Sequence, residues 1–391
     1  MRTVTPLSPF PWAIERGLGI REKMALLRRH YRAQVLALGA EDLAGRGSIF
    51  EALNRWSKLA ARSVGSALWI AAEALDLVSA SPPATLGDRQ PAGEGPLPLA
   101  VLGVGQLGLN EFDLGSDARL LFVAAPGASR VEMALWSRLA EKTVGVLSSY
   151  TRDGTLFAAD TRLRPHGREG QLVTAEDELL GYVGGSADVR ELLTYLQAAP
   201  VAGDIRLGLE IASRLTAVLL NRFASCRDLE GDPHDLRQSL EREVTLRPSN
   251  TGTAPGGYDD PGGYDDISFC IWYLRLRHHQ VGATAEPRVH LPLGANTAEQ
   301  IAALHAAGLV SEPDANALSE SAALLRSVDH AVRLVTGKPA DGLPEHASQA
   351  ESVESLVRRW GLLARDEALA GRVSKTRQEV RRACRRVVEL E

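Results

Sequence analysis

The stretch Gly108–Phe122, GLNEFDLGSDARLLF, ends in an apolar run of strand length. Because alternate residues of a strand project to one face, Asp117 and residue 119 are expected to lie side by side. Two carboxylates there, with a third acid on a neighbouring strand, would form a cage for divalent metal. The preceding Gly115-Ser116 would bring backbone and hydroxyl donors close to a phosphate. Residue 119 is arginine, so one member of the predicted metal site has the wrong charge.

A second run, Ala159–Gly170 (ADTRLRPHGREG), returns to strand character and supplies a further acid, Asp160. Arg162 and Arg164 follow at alternate positions, so on a strand they would share one face, as an anion-binding pair requires. Solvated arginines on a strand are the alternative interpretation. Taken with the Gly-Ser-Asp turn, this run predicts a site for metal and phosphate.

The composition is that of a folded protein with more than one domain. A chain of 391 residues exceeds the size at which one core usually stops growing, and 45% hydrophobic content argues against global disorder. The net charge of -5 argues against a dedicated nucleic-acid partner. Three widely spaced cysteines indicate neither a zinc site nor a disulfide framework. With no signal-peptide core and no apolar run of membrane-spanning length, we expect a cytoplasmic protein without a membrane partner.

The periodicity of apolar residues predicts an α+β fold in three parts. Helical spacing followed by a stretch rich in Pro and Gly predicts an N-terminal helical region and linker, residues 1–96. Short apolar runs bounded by glycines predict a small α/β domain with a mixed sheet, residues 97–225. Residues 226–391 are helical in pattern and predict a bundle. Within them the repeat GGYDDPGGYDD, residues 256–266, predicts a turn-rich loop, with a carboxylate site as the weaker alternative.

Several runs, in this order, resemble the glutamine synthetase adenylyltransferase family. They are VLGVGQLGLNEFDLGSDARLLF, FAADTRLRPHGREGQL, GGYDDISF at the place of the family's Gly-Gly-x-x-Asp-Ile-Glu-Phe, and LLRSVDHAVRLVTG. The resemblance covers most of the chain. It implies a nucleotidyltransferase fold for residues 97–225, ATP and Mg²⁺ as cofactors, and a tyrosine of glutamine synthetase as target. It also implies catalytic and metal-binding roles for Asp117 and Asp160, nucleotide contacts from Gly115, Ser116, Arg162 and Arg164, and an accessory role for Asp266.

The departures from the family pattern concern charge. The resemblance implies the pattern Gly-Lys-Leu-Gly-Gly-Arg at residues 105–110. This chain has Gln106 and Asn110 in place of its two cations. In an imperfectly aligned run before Pro200, the family's basic residues appear as Leu192, Gln197 and Ala199, and Ser268 replaces the Glu of the Asp-Ile-Glu-Phe motif. Fewer cations predict weaker binding of a triphosphate.

Arg119 is the most consequential departure. A guanidinium about 4 Å from a divalent ion would be repelled by roughly 8 kcal/mol at an effective dielectric of about 20. That is comparable to the whole free energy of a micromolar complex. We therefore expect Arg119 to form an internal ion pair with Asp117 or Asp160, which would leave the pocket neutral without metal. The alternative is that Arg119 swings away and Asp113 or Glu111 becomes a ligand.

Three hypotheses stay open. The first is an active adenylyltransferase that adds adenylyl to glutamine synthetase, or removes it, with ATP and Mg²⁺. The second is a non-catalytic regulatory or scaffold subunit that needs no cofactor and binds glutamine synthetase or an active adenylyltransferase chain. The third is another phosphoryl transfer that uses one metal at Asp117 and Asp160. The residues favour a family member whose catalysis is impaired or lost because Arg119 replaces the expected third ligand.

Overall fold

The structure, a computed structural model, describes residues 18–45, 47–78, 98–224, 262–279, 291–340 and 342–389. Helices and a small mixed sheet make up these segments, which confirms the predicted α+β class. The helices are α1 (Ile20–Leu43), α2 (Ile49–Glu73), α3 (Arg130–Ser148), α4 (Glu176–Gly185), α5 (Val189–Tyr195), α6 (Ile205–Ala224), α7 (Tyr264–Arg277), α8 (Thr297–Ala306), α9 (Glu312–Thr336), α10 (Ala347–Arg359) and α11 (Leu369–Glu389). The strands are β1 (Leu99–Gly103), β2 (Ala118–Ala124), β3 (Ala159–Asp160), β4 (Val173–Ala175) and β5 (Ala199–Gly203).

The sheet is built around β1 and β2, which pair antiparallel. On its other side β1 pairs antiparallel with β5, while β2 pairs in parallel with β3 at its start and with β4 at its end. Every residue of β1 is buried, and Arg119 is the one exposed residue of β2. The apolar runs read as strands from the sequence are therefore central strands covered on both faces, as near-continuous hydrophobic strands usually are.

The chain divides into two compact units, Met1–Asp42 with Ala52–Val218 and Leu43–Glu51 with Leu219–Glu391. In the first unit one hydrophobic core joins the N-terminal helices to the sheet, through residues such as Leu27, Trp56 and Phe122. This division differs from the predicted one, in which residues 1–96 stand apart. The predicted linker, residues 79–96, lies outside the described residues.

A buried cation ties α1 to the end of α3. Arg28 is fully buried, and its guanidinium donates to the carbonyls of Gly154 at 2.8 Å, Val146 at 3.0 Å and Ser149 at 2.9 Å. The last carbonyls of a helix have no intrahelical donor, and they carry partial negative charge. Arg28 therefore satisfies the end of α3 and fixes the loop that leads to β3.

The second unit is helical in its described residues. Its main core is formed by α7, α8, α9 and α11, with Ile267, Leu304 and Val380 among the fully buried side chains. The repeat predicted as a loop is only partly so, because Tyr264–Asp266 form the first turn of α7; residues 256–261 lie outside the described residues. None of the helices in the described segments combines the length and apolarity that crossing a bilayer requires.

Replacing Arg28 with alanine should lower the free energy of unfolding by about 3 kcal/mol or more, because several buried carbonyls lose their donor. Equilibrium urea unfolding followed by circular dichroism measures this loss. Arg29→Ala is the matched control, since the ion pair of that largely exposed arginine with Asp153, at 3.2 Å, should contribute under about 1 kcal/mol. Equal losses in the two variants would contradict the assigned role of Arg28.

Candidate active site

The turn before β2 is tightly bonded. Gly115 has φ +73°, a left-handed conformation that favours glycine. Ser116 is buried; its backbone N–H donates to the Asp113 carbonyl at 3.1 Å, and its hydroxyl donates to Gln106 Oε1 at 3.2 Å. The Ser116 hydroxyl, which was predicted to contact phosphate, thus donates to Gln106, the residue at the place of the lysine in the family pattern.

Asp117 and Arg119 have exposed side chains on either side of the buried Ala118, as strand alternation predicts. The parallel pairing of β2 with β3 sets Arg119 opposite Asp160 in register. Asp117 in turn acts electrostatically on Arg162, raising its pKa as a minor contribution. The structure therefore brings both predicted aspartates, Arg119 and Arg162 to one edge of the sheet.

The partner of Asp160 is Arg162, so the predicted ion pair with Arg119 is wrong. Arg162 Nε donates to Oδ1 of Asp160 at 2.9 Å and Nη2 donates to Oδ2 at 2.8 Å. The Arg162 backbone N–H adds a third bond to Oδ1 at 3.0 Å. These bonds from Arg162 are the main cause that lowers the pKa of Asp160, and the field of Arg119 lowers it further. A three-bonded carboxylate of this kind is held ionised without metal.

The Arg119 side chain lies beside Gly105, in the run of residues 103–108, instead. A methyl group placed on Gly105 would be 3.3 Å from Arg119 Nη1 and 3.8 Å from Gln197 Oε1. The Val104 backbone N–H donates to the Arg119 carbonyl at 3.0 Å, which fixes the strand to this run. Among the described residues no carboxylate lies within 4.0 Å of the Arg119 guanidinium. The predicted pair with Asp117 is therefore also absent from the described part of the chain.

Arg164 does not share a strand face with Arg162, because β3 ends at Asp160. Its guanidinium donates to the carbonyls of Thr161 at 2.7 Å, Gly170 at 2.9 Å and Arg168 at 3.1 Å. Arg164 thus stabilises the loop after β3. The prediction that Arg162 and Arg164 lie side by side on one strand face is wrong. Pro165, Gly167 and Gly170 were the turn signals in the sequence that could have revealed this loop.

Tyr195 is a supporting residue that no sequence motif indicated. It is fully buried, and its hydroxyl donates to the Leu163 carbonyl in the same loop. A buried tyrosine hydroxyl usually finds such a partner, but the sequence does not say which one.

The other predicted acids are placed differently. Glu111 and Asp113 are buried, and Asp113 Oδ1 accepts from the Leu114 backbone N–H at 2.6 Å. Asp266 belongs to the second unit, where it accepts from the Gly262 backbone N–H at the start of α7. The part of the chain that the structure describes contains no group of three or more His, Cys, Asp or Glu residues placed to hold a metal.

The residues at this sheet edge do not fit a divalent cation. Both carboxylate oxygens of Asp160 accept hydrogen bonds from Arg162. Arg119, opposite Asp160 in the strand register, adds a second positive charge to this edge. Magnesium needs oxygen ligands free to face it and tolerates no cation in its coordination shell. The bonds from Arg162 instead satisfy Asp160 without a metal.

Removing the Arg162 side chain should raise the pKa of Asp160 toward its ordinary value. The depressed pKa means that the pair stabilises the fold above the ordinary carboxyl pKa and that this contribution is lost as pH falls through the lowered value. Carbon-13 NMR titration of the aspartate carboxyls measures the shift in Arg162→Ala. Arg168→Ala removes an exposed arginine of the same loop and should leave the Asp160 titration unchanged. An unchanged titration in Arg162→Ala would contradict the assigned pairing.

Two family models match separate parts of the chain. The model described as glutamate-ammonia ligase adenylyltransferase matches residues 13–213, and the one described as GlnD PII-uridylyltransferase matches residues 259–388.

Curated relatives agree with the first model. Proteins of Streptomyces avermitilis and Caulobacter vibrioides are each 29% identical, over 84% and 97% of this chain and 30% and 36% of their own length. A Mycobacterium tuberculosis protein is 30% identical over 78% of this chain and 28% of its own length. All three are named bifunctional glutamine synthetase adenylyltransferase/adenylyl-removing enzyme, and the chain spans about a third of their length. The chain belongs to the glutamate-ammonia ligase adenylyltransferase family.

Proposed function

We propose that this chain is a nucleotidyltransferase unit of the family in which metal-dependent adenylyl transfer is lost or strongly impaired. The observation that carries the proposal is the site charge: Asp160 is clamped by Arg162, and Arg119 stands opposite it in the strand register. Two-metal phosphoryl transfer needs carboxylates that coordinate the ions and ions that neutralise the phosphates. The bonds from Arg162 to both oxygens of Asp160 support the proposal, because they occupy a carboxylate that would otherwise face the ion.

Arg119 opposes metal binding more strongly than Arg162 does. Asp160 could in principle release Arg162 to a solvent-exposed position, because 62% of the Arg162 side chain is already accessible. The strand register fixes the backbone of Arg119 opposite Asp160, and its guanidinium lies beside Gly105 at the same edge of the sheet. An arginine about 4 Å from a divalent ion would oppose binding by roughly 8 kcal/mol at a dielectric of about 20. ATP would also meet Gln106 and Gln197 where the family pattern has cations.

We further propose a regulatory role in place of catalysis. The curated relatives are named for adenylyl transfer to glutamine synthetase and for adenylyl removal. A unit that keeps the fold while its site is neutralised can still bind that enzyme, or an active adenylyltransferase chain, in the cytoplasm. ATP and Mg²⁺ would then be dispensable for its action.

Arg119→Asp should restore binding of ATP with Mg²⁺ by at least about tenfold, because it removes the cation and adds a ligand. Titration calorimetry on wild type and variant measures the binding, and intact-mass spectrometry of glutamine synthetase measures adenylyl transfer. Arg168→Asp makes the same charge change in the neighbouring loop and serves as the control.

A wild-type protein that binds ATP with Mg²⁺ as tightly as Arg119→Asp, or that adenylylates glutamine synthetase, would refute the loss of catalysis. The regulatory role has its own readout in the same samples. Immobilised wild-type protein should capture glutamine synthetase equally well with ATP and with EDTA, and no capture under either condition would remove that role.

A further inference from the structure

The C-terminal helix α11 carries a one-sided concentration of positive charge. Its sequence, LAGRVSKTRQEVRRACRRVVE, contains seven Arg or Lys residues and two Glu residues, whereas the whole chain has a net charge of -5. The apolar positions of α11, among them Val373, Val380 and Ala383, are buried in the second unit. Most of the cations lie on the opposite, exposed face, whereas Arg372 and Arg377 are only partly exposed.

The solvent face of α11 is a basic stripe formed by Lys375, Arg381, Arg382 and Arg385, all of which are exposed. Lys375 and Arg382 are seven residues apart, and Arg385 follows Arg381 by four residues and Arg382 by three, so the stripe runs along the helix for roughly 15 Å. The uncharged Gln378 lies between them and is also exposed.

The described part of the chain contains no salt bridge to the stripe, although Glu379 lies four residues after Lys375 and three before Arg382. No carboxylate there lies within 4.0 Å of any of its four side chains. Arg386, one turn away, shows the contrast, because it pairs with the buried Asp314 at 2.6 Å. Like charges three and four residues apart, such as Arg382 and Arg381 with Arg385, destabilise an isolated helix. The repulsion within the stripe thus lowers the stability of the helix, and no salt bridge to the stripe in the described residues offsets it.

A solvated helix face in this protein looks different. The exposed face of α3 alternates in sign, with Glu132, Arg138, Glu141 and Lys142. On α10 the exposed Glu351 and Arg359 likewise carry opposite signs, and Glu354 pairs with Arg358 at 2.7 Å. Mixed charge of this kind keeps a surface soluble without a strong local field. The face of α11, with four exposed cations and the single partly exposed Glu379 beside them, departs from that pattern.

We propose that the basic stripe of α11 is a docking surface for an acidic surface of a partner protein. Complementary charge is what such a patch recognises, and arginine is enriched where proteins meet. A nucleic acid fits less well, because the stripe has no exposed aromatic residue for base stacking and the rest of the chain is acidic. A membrane surface also fits less well, because the apolar face that would insert is buried in the core. The proposal does not depend on the state of the nucleotidyltransferase site.

The triple variant Lys375→Glu, Arg382→Glu and Arg385→Glu tests the stripe. Fluorescence anisotropy with labelled oligo-L-glutamate at low salt should show binding by wild type and at least about tenfold weaker binding by the variant. The control is Arg130→Glu, Arg138→Glu and Lys142→Glu on α3, which changes the net charge equally and should bind as wild type does.

The outcomes separate the competing surfaces. Absence of oligo-glutamate binding, or equal weakening by both triple variants, would overturn the proposal. So would tighter binding of a matched oligouridylate through the same residues, or self-association of the wild type that the stripe variant abolishes. If the glutamate variant fails to fold by circular dichroism, the Lys375→Gln, Arg382→Gln and Arg385→Gln variant replaces it and should still weaken oligo-glutamate binding.

Discussion

The register of β2 against its neighbours decides which charges meet at the candidate site. From Leu120 onward β2 is buried on both faces. A shift of β2 by one residue would therefore break its pairing with β1 and β4. With that register held, the backbone of Arg119 lies opposite that of Asp160 on β3, although the two side chains form no ion pair. The buried part of β2 thus places an arginine and an aspartate at the same edge of the sheet.

The local chemistry follows from this placement. Asp160 is satisfied by three bonds from Arg162, and Arg119 turns along the Gly105 run toward Gln197. Asp160, whose carboxylate a metal would need, is therefore fully bonded without an ion. Because a substitution of Asp by Arg changes charge by two, this position alters the site more than the loss of one ligand would.

The sequence was informative wherever local pattern and core packing agree. Alternation predicted the shared face of Asp117 and Arg119, and the order of runs predicted that Asp160 would lie beside them. It failed where packing overrides pattern: β3 is only two residues long, so Arg162 folds back onto Asp160 and Arg164 organises a loop. The Pro-rich stretch suggested a boundary, but the N-terminal helices share one core with the sheet, which only tertiary contacts reveal.

The most direct test of the account is whether the site takes a divalent ion at all. Electron paramagnetic resonance of Mn²⁺ with ATP, recorded with wild type and with Arg119→Asp, measures how much free ion each protein removes from solution. We expect wild type to leave the free-ion signal at the level of ATP alone and the variant to reduce it. A wild-type protein that removes as much Mn²⁺ as the variant would contradict the claim that Arg119 has converted the site.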